Sequence, residues 1–358
     1  MAPEETPIPT PRQLPDTAAN LYAESLEQLL AEEAAGLPHR LHGAFKQRTV
    51  AGRRYWYYQY RDLDQRVRQI YCGPVGGPWD RVAERQDHDG VGDPAMDHEQ
   101  QAGLLRAAGL PVVPAGPFRL LAALTDAGVF RAGGILVGTY AFMALGNQLG
   151  YVWSGPAATT QDGDIAHSRA VELAVPGAEL KLPDVLDALQ MGYRPIPRLD
   201  PRQPSTSFMF RNQQLRLDLL TPGHGARTRP IPIQALGAAA QPLKFLEYLL
   251  VGPQPAILVG ARVVRVAVPD PARFAVHKLI ISSDRPASET AKSRKDDQQA
   301  AQLFTALLEN RPGDILPAWK KAAEQGPGWR RRLRTGLARL PASVADALRA
   351  RGIETEWG

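Results

Sequence analysis

The alternation of apolar and polar positions divides this chain into a helical start, a strand-rich middle and a helical end. Residues 17–37 place Leu21, Leu26, Leu29 and Leu30 on one side and glutamates on the other, the spacing of an amphipathic helix. Residues 46–72 change to strand character. An aromatic run at 53–60 meets a turn-like Asp62-Leu63-Asp64-Gln65, and Val67, Gln69 and Tyr71 then alternate with Arg66, Arg68 and Ile70 up to Gly73-Pro74. That pattern predicts a β-hairpin. Polar residues 78–101 read as a solvated linker, because His88, Asp89, Asp93, Asp97 and His98 lack a regular ligand spacing. Helices are expected at 96–108 and 117–128, the second packing on the strand that follows it.

The stretch that organises the rest is 133–165. An aliphatic run at 135–137 stops at Gly138 and Thr139, and a helix-compatible segment at 140–149 follows at once. A Gly/Pro loop then leads to Asp162-Gly163-Asp164-Ile165. A strand that turns into a helix through small residues lets backbone N–H groups face a phosphate. Two carboxylates one residue apart on an extended segment share a face and can grip hard divalent cations. Taken alone, Asp162 and Asp164 read by default as solvated turn residues; the upstream Gly138-Thr139 turn and Asp218 further on reverse that reading toward a metal site. Further on, 171–175 reads as a strand and 182–191 as a helix with Leu182, Val185, Leu186 and Leu189 inward. Residues 207–211 and 215–220 read as a hairpin, with Arg216, Asp218 and Leu220 on one face, so that Asp218 points toward the polar side. The C-terminal part is helical. Pro271 suits a first turn, Phe274, Leu279 and Ile280 face inward, and Lys278 sits among them as a snorkelling residue or as a phosphate contact. Residues 282–295 are expected to be a loop and 296–308 a helix, opened by Arg294-Lys295-Asp296-Asp297.

Val137-Gly138-Thr139, Asp162-x-Asp164-Ile165 and Asp218 within Leu215-Arg-Leu-Asp-Leu-Leu220 resemble the nucleotidyltransferase superfamily with a polymerase-β-like palm. Thr139 departs mildly from the Gly or Ser of that pattern. Pro271-x-x-Phe274-x-x-x-Lys278-Leu279 and Arg294-Lys-Asp-Asp297 resemble the helical half of bacterial abortive-infection toxin-type members, so the resemblance spans roughly 117–308. It implies an α+β fold: a palm over 116–270, closed by a hairpin of 256–259 and 262–268, and a C-terminal helical domain over 271–358. Before the palm come a disordered tail at 1–16 and a helical and basic aromatic hairpin region at 17–115. The implied chemistry transfers NMP from an NTP to an acceptor hydroxyl. Asp162 and Asp164 would hold two Mg²⁺ about 3.5–4 Å apart. Asp218 would bind the second and help deprotonate the acceptor. Gly138, Thr139, Lys278, Arg294 and Asp297 would contact the nucleotide.

Composition and charge add to this picture. A net charge of +5 favours an anionic partner. Arg53, Arg54, Arg66 and Arg68, mixed with Tyr55 and Trp56, give the hairpin the charge and stacking surface that suit single-stranded or looped RNA, and the toxin-type resemblance implies tRNA first. Packing of those aromatics on the palm is the bland alternative. The basic residues of 317–340 offer a second such surface. The single cysteine, Cys72, excludes internal disulfides and fits a reducing cytoplasm. Residues 132–161 carry no charge, but Gly, Pro156 and Asn147-Gln148 argue against a membrane span. No P-loop, zinc or serine-elbow motif occurs. Other acceptors stay open: a protein hydroxyl, a small molecule, or none at all in an inactive nucleic-acid-binding protein. A cognate antitoxin or other protein is a further expected partner.

Overall fold

In the computed structural model, which describes residues 10–35, 43–50, 52–61, 67–77, 79–80, 83, 94–155, 170–174, 182–188, 192–210, 215–223, 229–233 and 237–353, the chain begins with a short strand β1 (Arg12–Gln13) and helix α1 (Asp16–Ala35). Strands β2 (Gly43–Val50), β3 (Arg53–Arg61) and β4 (Val67–Pro74) follow, then helices α2 (Pro94–Ala107) and α3 (Ala115–Asp126). The middle runs β5 (Ile135–Val137), α4 (Gly138–Leu149), β6 (Tyr151–Val152), β7 (Ala170–Ala174), α5 (Leu182–Ala188) and β8 (Tyr193–Pro195). It continues through β9 (Ser207–Phe210), β10 (Arg216–Pro222), β11 (Ile231–Ile233) and β12 (Ala238–Leu243). After α6 (Leu246–Leu249) come β13 (Gln254–Val259) and β14 (Val263–Val268). The described chain ends in α7 (Pro271–Asp284), α8 (Thr290–Asn310), α9 (Ile315–Ala323), α10 (Pro327–Leu337) and α11 (Ala342–Arg349). The fold is mixed α and β.

The N-terminal region differs from expectation in two ways. Its sheet has three antiparallel strands, not two. Strand β2 carries Lys46, Gln47, Arg48 and Thr49, so it has no apolar alternation and becomes a strand only by pairing along β3. Ordered structure also reaches into the expected tail: β1 pairs with β6, and Leu14 is buried.

Seven strands form the central sheet, in the order β11–β12–β10–β7–β5, with β9 bonded to β10 and β8 to β9. Strand β7 runs parallel to β10 and antiparallel to β5. Along β7, Glu172 pairs with Val137 on one side and with Asp218 on the other. The Gly138 turn and Asp218 therefore lie at the same level of the sheet, about 10 Å apart by strand spacing. The first half of β10 borders β9, where Asp218 faces Ser207, and its end borders β12.

The hairpin expected to close the palm is a separate two-stranded sheet, β13–β14. Its residues are apolar on both faces, so both faces are covered. Ala256, Leu258, Val264, Val266 and Val268 enter the main core, whereas Ile257, Val259 and Val263 enter a second core with Leu21, Tyr22, Leu105 and Trp79. The Ile257 N–H donates to the Tyr22 hydroxyl at 3.0 Å, and its carbonyl accepts from Asn147 Nδ2 at 3.2 Å. The N-terminal elements are thereby joined to the helix that follows Gly138.

At the C-terminal end the expected loop at 282–295 is mostly helix. Helix α7 continues to Asp284 and α8 starts at Thr290. Glu289 ties the junction, 2.8 Å from Arg285 and 3.1 Å from Lys292. None of the helices is long and apolar enough to cross a membrane among the described residues.

Candidate active site

A cleft of about 1030 Å³ opens where α4, β10, α7 and α8 converge. Val137, Gly138 and Thr139 form one wall. Gly138 has φ +70°, a conformation an L side chain rarely adopts, and this bend lets α4 start directly from β5. The first N–H groups of that 12-residue helix have no intrahelical acceptor, and they stand at the cleft wall.

Asp218 and Arg216 of β10 line the cleft together with Ser207 of β9. Asp218 is largely buried, and its Oδ1 accepts from the Ser207 hydroxyl and from Arg216 Nε at 2.6 Å. Of the expected metal ligands it alone is described, since Asp162 and Asp164 lie outside the described residues. As a carboxylate on the cleft wall it is a hard oxygen donor of the kind that suits Mg²⁺. Among the described residues no cluster of three or more His, Cys, Asp or Glu could hold a metal ion.

The helical wall follows from 3.6-residue periodicity. Phe274, His277, Lys278, Ile281 and Asp284 form one stripe of α7, and Lys292, Lys295, Asp296 and Gln299 one stripe of α8. Lys278 is buried, which removes the snorkelling reading. Its Nζ is 2.8 Å from Asp296 Oδ1 and 5.2 Å from the Phe274 ring centre. Arg285 Nε donates to the other Asp296 oxygen at 2.7 Å. Burial alone would raise the Asp296 carboxyl, but Lys278 and Arg285 outweigh it and hold it below the ordinary carboxylate range. His277 is buried beside this group. Desolvation first, and Lys278 second, lower it to about 3, so the imidazole is neutral at physiological pH.

The residues expected to bind nucleotide are only partly brought together. Gly138, Thr139 and Lys278 share the cleft. Arg294 is exposed and off the lining, and Asp297 turns away from it. The Asp297 carboxylate approaches Arg339 at 3.9 Å, and burial raises its pKa. The reason is helical phase: neighbours on a helix differ by about 100°, so a four-residue run cannot face one cleft. Lys295 and Asp296 occupy the cleft face instead, and Lys295 Nζ lies 3.4 Å from Thr139 Oγ1. Counting back from the inward Leu303 and Leu307 in steps of three and four reaches Asp296, so the phase was present in the sequence. Lys244, Arg198 and Phe245 also line the cleft and carried no motif signal.

On the N-terminal sheet, strand alternation divides the expected RNA contacts. Tyr55 and Tyr57 share one face with Arg53, and Trp56 and Arg54 share the other. Trp56 is edge-on to Phe45, its Nε1 donates to Asp80 Oδ1 at 2.7 Å, and it packs against the second core. Arg54 is exposed, with Nη1 3.4 Å from Gln47 Oε1. On the opposite face Tyr57 and Tyr55 lie 5.5 and 5.7 Å from Tyr71, and the Arg48 guanidinium covers Tyr57 at 5.6 Å. Arg66 lies outside the described residues, and of Arg68 only its place in β4 is described, opposite Tyr60.

Residues 117–324 match the sequence model of a family described as Nucleotidyltransferase. No curated protein and no solved structure gives a significant match. Because the matched span is more than half of the 358 residues and contains the whole cleft described above, the chain belongs to the nucleotidyltransferase family and is a transferase of the nucleotidyl-transferring class.

Proposed function

We propose that the cleft binds an NTP and transfers its nucleoside monophosphate to a hydroxyl of RNA, with tRNA the first acceptor to try. The observation that carries this reading is the shared cleft: the Gly138–Thr139 turn, Asp218 and the cations of α7 and α8 face one space. The β5–β7–β10 arrangement, with Asp218 two strands from the turn, supports a polymerase-β-like palm. In the reaction the acceptor oxygen attacks the α-phosphorus, the bond to the bridging oxygen of the β-phosphate breaks, and pyrophosphate leaves. The hydroxyl proton passes to Asp218 or through it to solvent. Backbone N–H groups of Gly138 and Thr139 hold phosphate oxygens, and Lys295 and Lys278 neutralise charge on the departing pyrophosphate. Asp162, Asp164 and Asp218 would hold Mg²⁺, which when bound supplies neutralisation of the triphosphate and acidifies the acceptor hydroxyl. The tyrosine face of the N-terminal sheet, with Arg48 and Arg53, supports the choice of RNA over a small molecule. A toxin-type enzyme held by a partner protein fits the same chemistry.

The test incubates pure protein with each α-labelled NTP, Mg²⁺ and total RNA. Label is expected on RNA, and Asp218→Asn, which keeps the shape of the side chain, should reduce it at least a hundredfold while the thermal melt moves only a few degrees. Full transfer by that variant would remove Asp218 from the chemistry. Label on protein instead of RNA would replace the acceptor but keep the reaction.

A further inference from the structure

A second groove, of about 740 Å³, adjoins the cleft and shares Arg198, Thr206, Ser207 and Arg216 with it. Two of these, Ser207 and Arg216, bond Asp218 Oδ1. Strand order places this groove beyond Asp218 as seen from the phosphate-binding turn. Going outward from β5, which feeds Gly138, the strands are β7, then β10 with Asp218, then β9 and β8. The groove is walled by the connection from β8 to β9. An NTP seated at Gly138 and the lysines of α8 therefore has the groove on the far side of Asp218, where an attacking hydroxyl must come from.

The wall is rigid for a surface connection. The Ser205 hydroxyl bridges to the carbonyls of Ile196 at 2.9 Å and Ser207 at 2.7 Å, and the Ile196 N–H donates to Ser207 O at 2.8 Å. Arg198 is held by Gln241 Oε1 at 2.8 Å and Thr206 Oγ1 at 3.3 Å. The groove's acid, Asp200, is occupied inside its own turn, accepting from the Arg202 N–H at 3.0 Å and from Gln203 Nε2 at 3.2 Å. Those bonds leave the charge of Asp200 in place, and half-exposed Arg216 is paired with Asp218 at 2.6 Å, so Arg198, bonded to the neutral Gln241 and Thr206, is the guanidinium that can meet a phosphate. Next to Arg198, Leu199 is fully exposed at 108% on this braced turn and gives the groove an apolar side chain.

Building on the nucleotidyl-transfer reading, we propose that this groove receives the 3′-terminal nucleotides of a single-stranded polynucleotide acceptor. Arg198 holds a phosphate, Leu199 lies against the neighbouring base, and the terminal hydroxyl is delivered to Asp218 beside its Arg216 partner. A cation and an apolar side chain on adjacent residues match a phosphate and its neighbouring base on a strand, and the groove's place beyond Asp218 lets such a strand end at the reacting centre.

The test uses full-length protein and a six-nucleotide RNA with a 5′ fluorophore and a free 3′ hydroxyl, followed by anisotropy, with NTP affinity measured in parallel. Leu199→Ser cannot disturb packing, because the side chain touches only solvent. It should weaken RNA binding several-fold. Arg198→Met should weaken it about tenfold and lower the salt slope by about 0.7, one single-strand phosphate contact. NTP affinity should stay within twofold in Leu199→Ser, whose side chain lies off the nucleotide cleft. Unchanged RNA affinity in both variants, or equal losses for RNA and NTP in Leu199→Ser, overturns the groove assignment. So does wild-type protein that binds NTP but not the RNA. None of these readouts needs turnover, so failure of nucleotidyl transfer itself would be seen separately, as missing labelled product from wild type.

Discussion

Lys278 and Asp296 are two buried charges held together by geometry. The ammonium has Asp296 at 2.8 Å and the face of Phe274, and Asp296 has Arg285 at 2.7 Å as a second partner. Removing one member of such a pair costs more than the pair contributes, because the other charge stays buried. Lys278→Met should therefore destabilise by about 2–3 kcal/mol, less than the loss for an isolated buried pair because Arg285 remains. The pH dependence carries the sign. A carboxyl whose pKa is depressed on folding contributes stability above its unfolded value, near 3.9, and loses it as pH falls through the folded value. The gap between wild type and Lys278→Met should be full above about pH 5 and shrink below about pH 4, where a protonated Asp296 needs no cation. Urea denaturation of both proteins from pH 3 to 8 measures it, and a constant gap would refute the pairing. In the sequence Lys278 stands out as a charge on an otherwise apolar helix. Its partner is not visible there, because the pairing depends on how α7 and α8 pack, 18 residues apart in the chain.

Elements show where local pattern suffices and where tertiary pairing decides. The β5–Gly138–α4 unit was readable because aliphatic residues, a glycine that must take φ +70° and an apolar helix are all local signals. Strand β2 was not, since its polar residues form a strand only beside β3. The division of β13–β14 between two cores was also hidden: an apolar run reports burial on both faces but not what covers each. Helix α8 gives the sharpest comparison. The run from Arg294 to Asp297 looks like one motif, yet only Lys295 and Asp296 reach the cleft. Replacing Lys295 by Ala should raise KM for NTP about tenfold, a loss of about 1.4 kcal/mol for a charge near Thr139 and the helix terminus. Arg294→Ala should stay within twofold, as surface substitutions do. Steady-state kinetics with varied NTP separates them, and the reverse order would mean that α8 turns when nucleotide binds.

Across the whole molecule, two surfaces must act on one acceptor if the enzyme modifies RNA: the cleft and the outer face of the N-terminal sheet. The two are mechanically joined. Helix α1 carries Tyr22, whose hydroxyl accepts from Ile257 in β13, and Glu33, which pairs with Arg265 of β14 at 2.6 Å. The same hairpin reaches α4 through Asn147. Strand alternation then decides which basic residues belong to the RNA path. Arg48, Arg53, Tyr55, Tyr57 and Tyr71 share the outer face, where Tyr71 is 43% exposed, while Trp56 is committed inward. Arg48→Ala should lower the salt slope of RNA binding by about 0.7 and remove the cation over Tyr57. Tyr57→Ala should cost about 1–3 kcal/mol of binding, the range for one base stacked on an aromatic ring. Arg54→Ala, on the opposite face, should change neither quantity. Because the sheet is apart from the cleft residues, kcat on saturating RNA should persist in all three variants, and only the RNA concentration needed should rise. Anisotropy titrations at several salt concentrations, run beside turnover, decide it. Equal effects of Arg48→Ala and Arg54→Ala would mean that the sheet adds general positive charge and no defined track, and a fall in kcat would mean that it shapes the cleft itself.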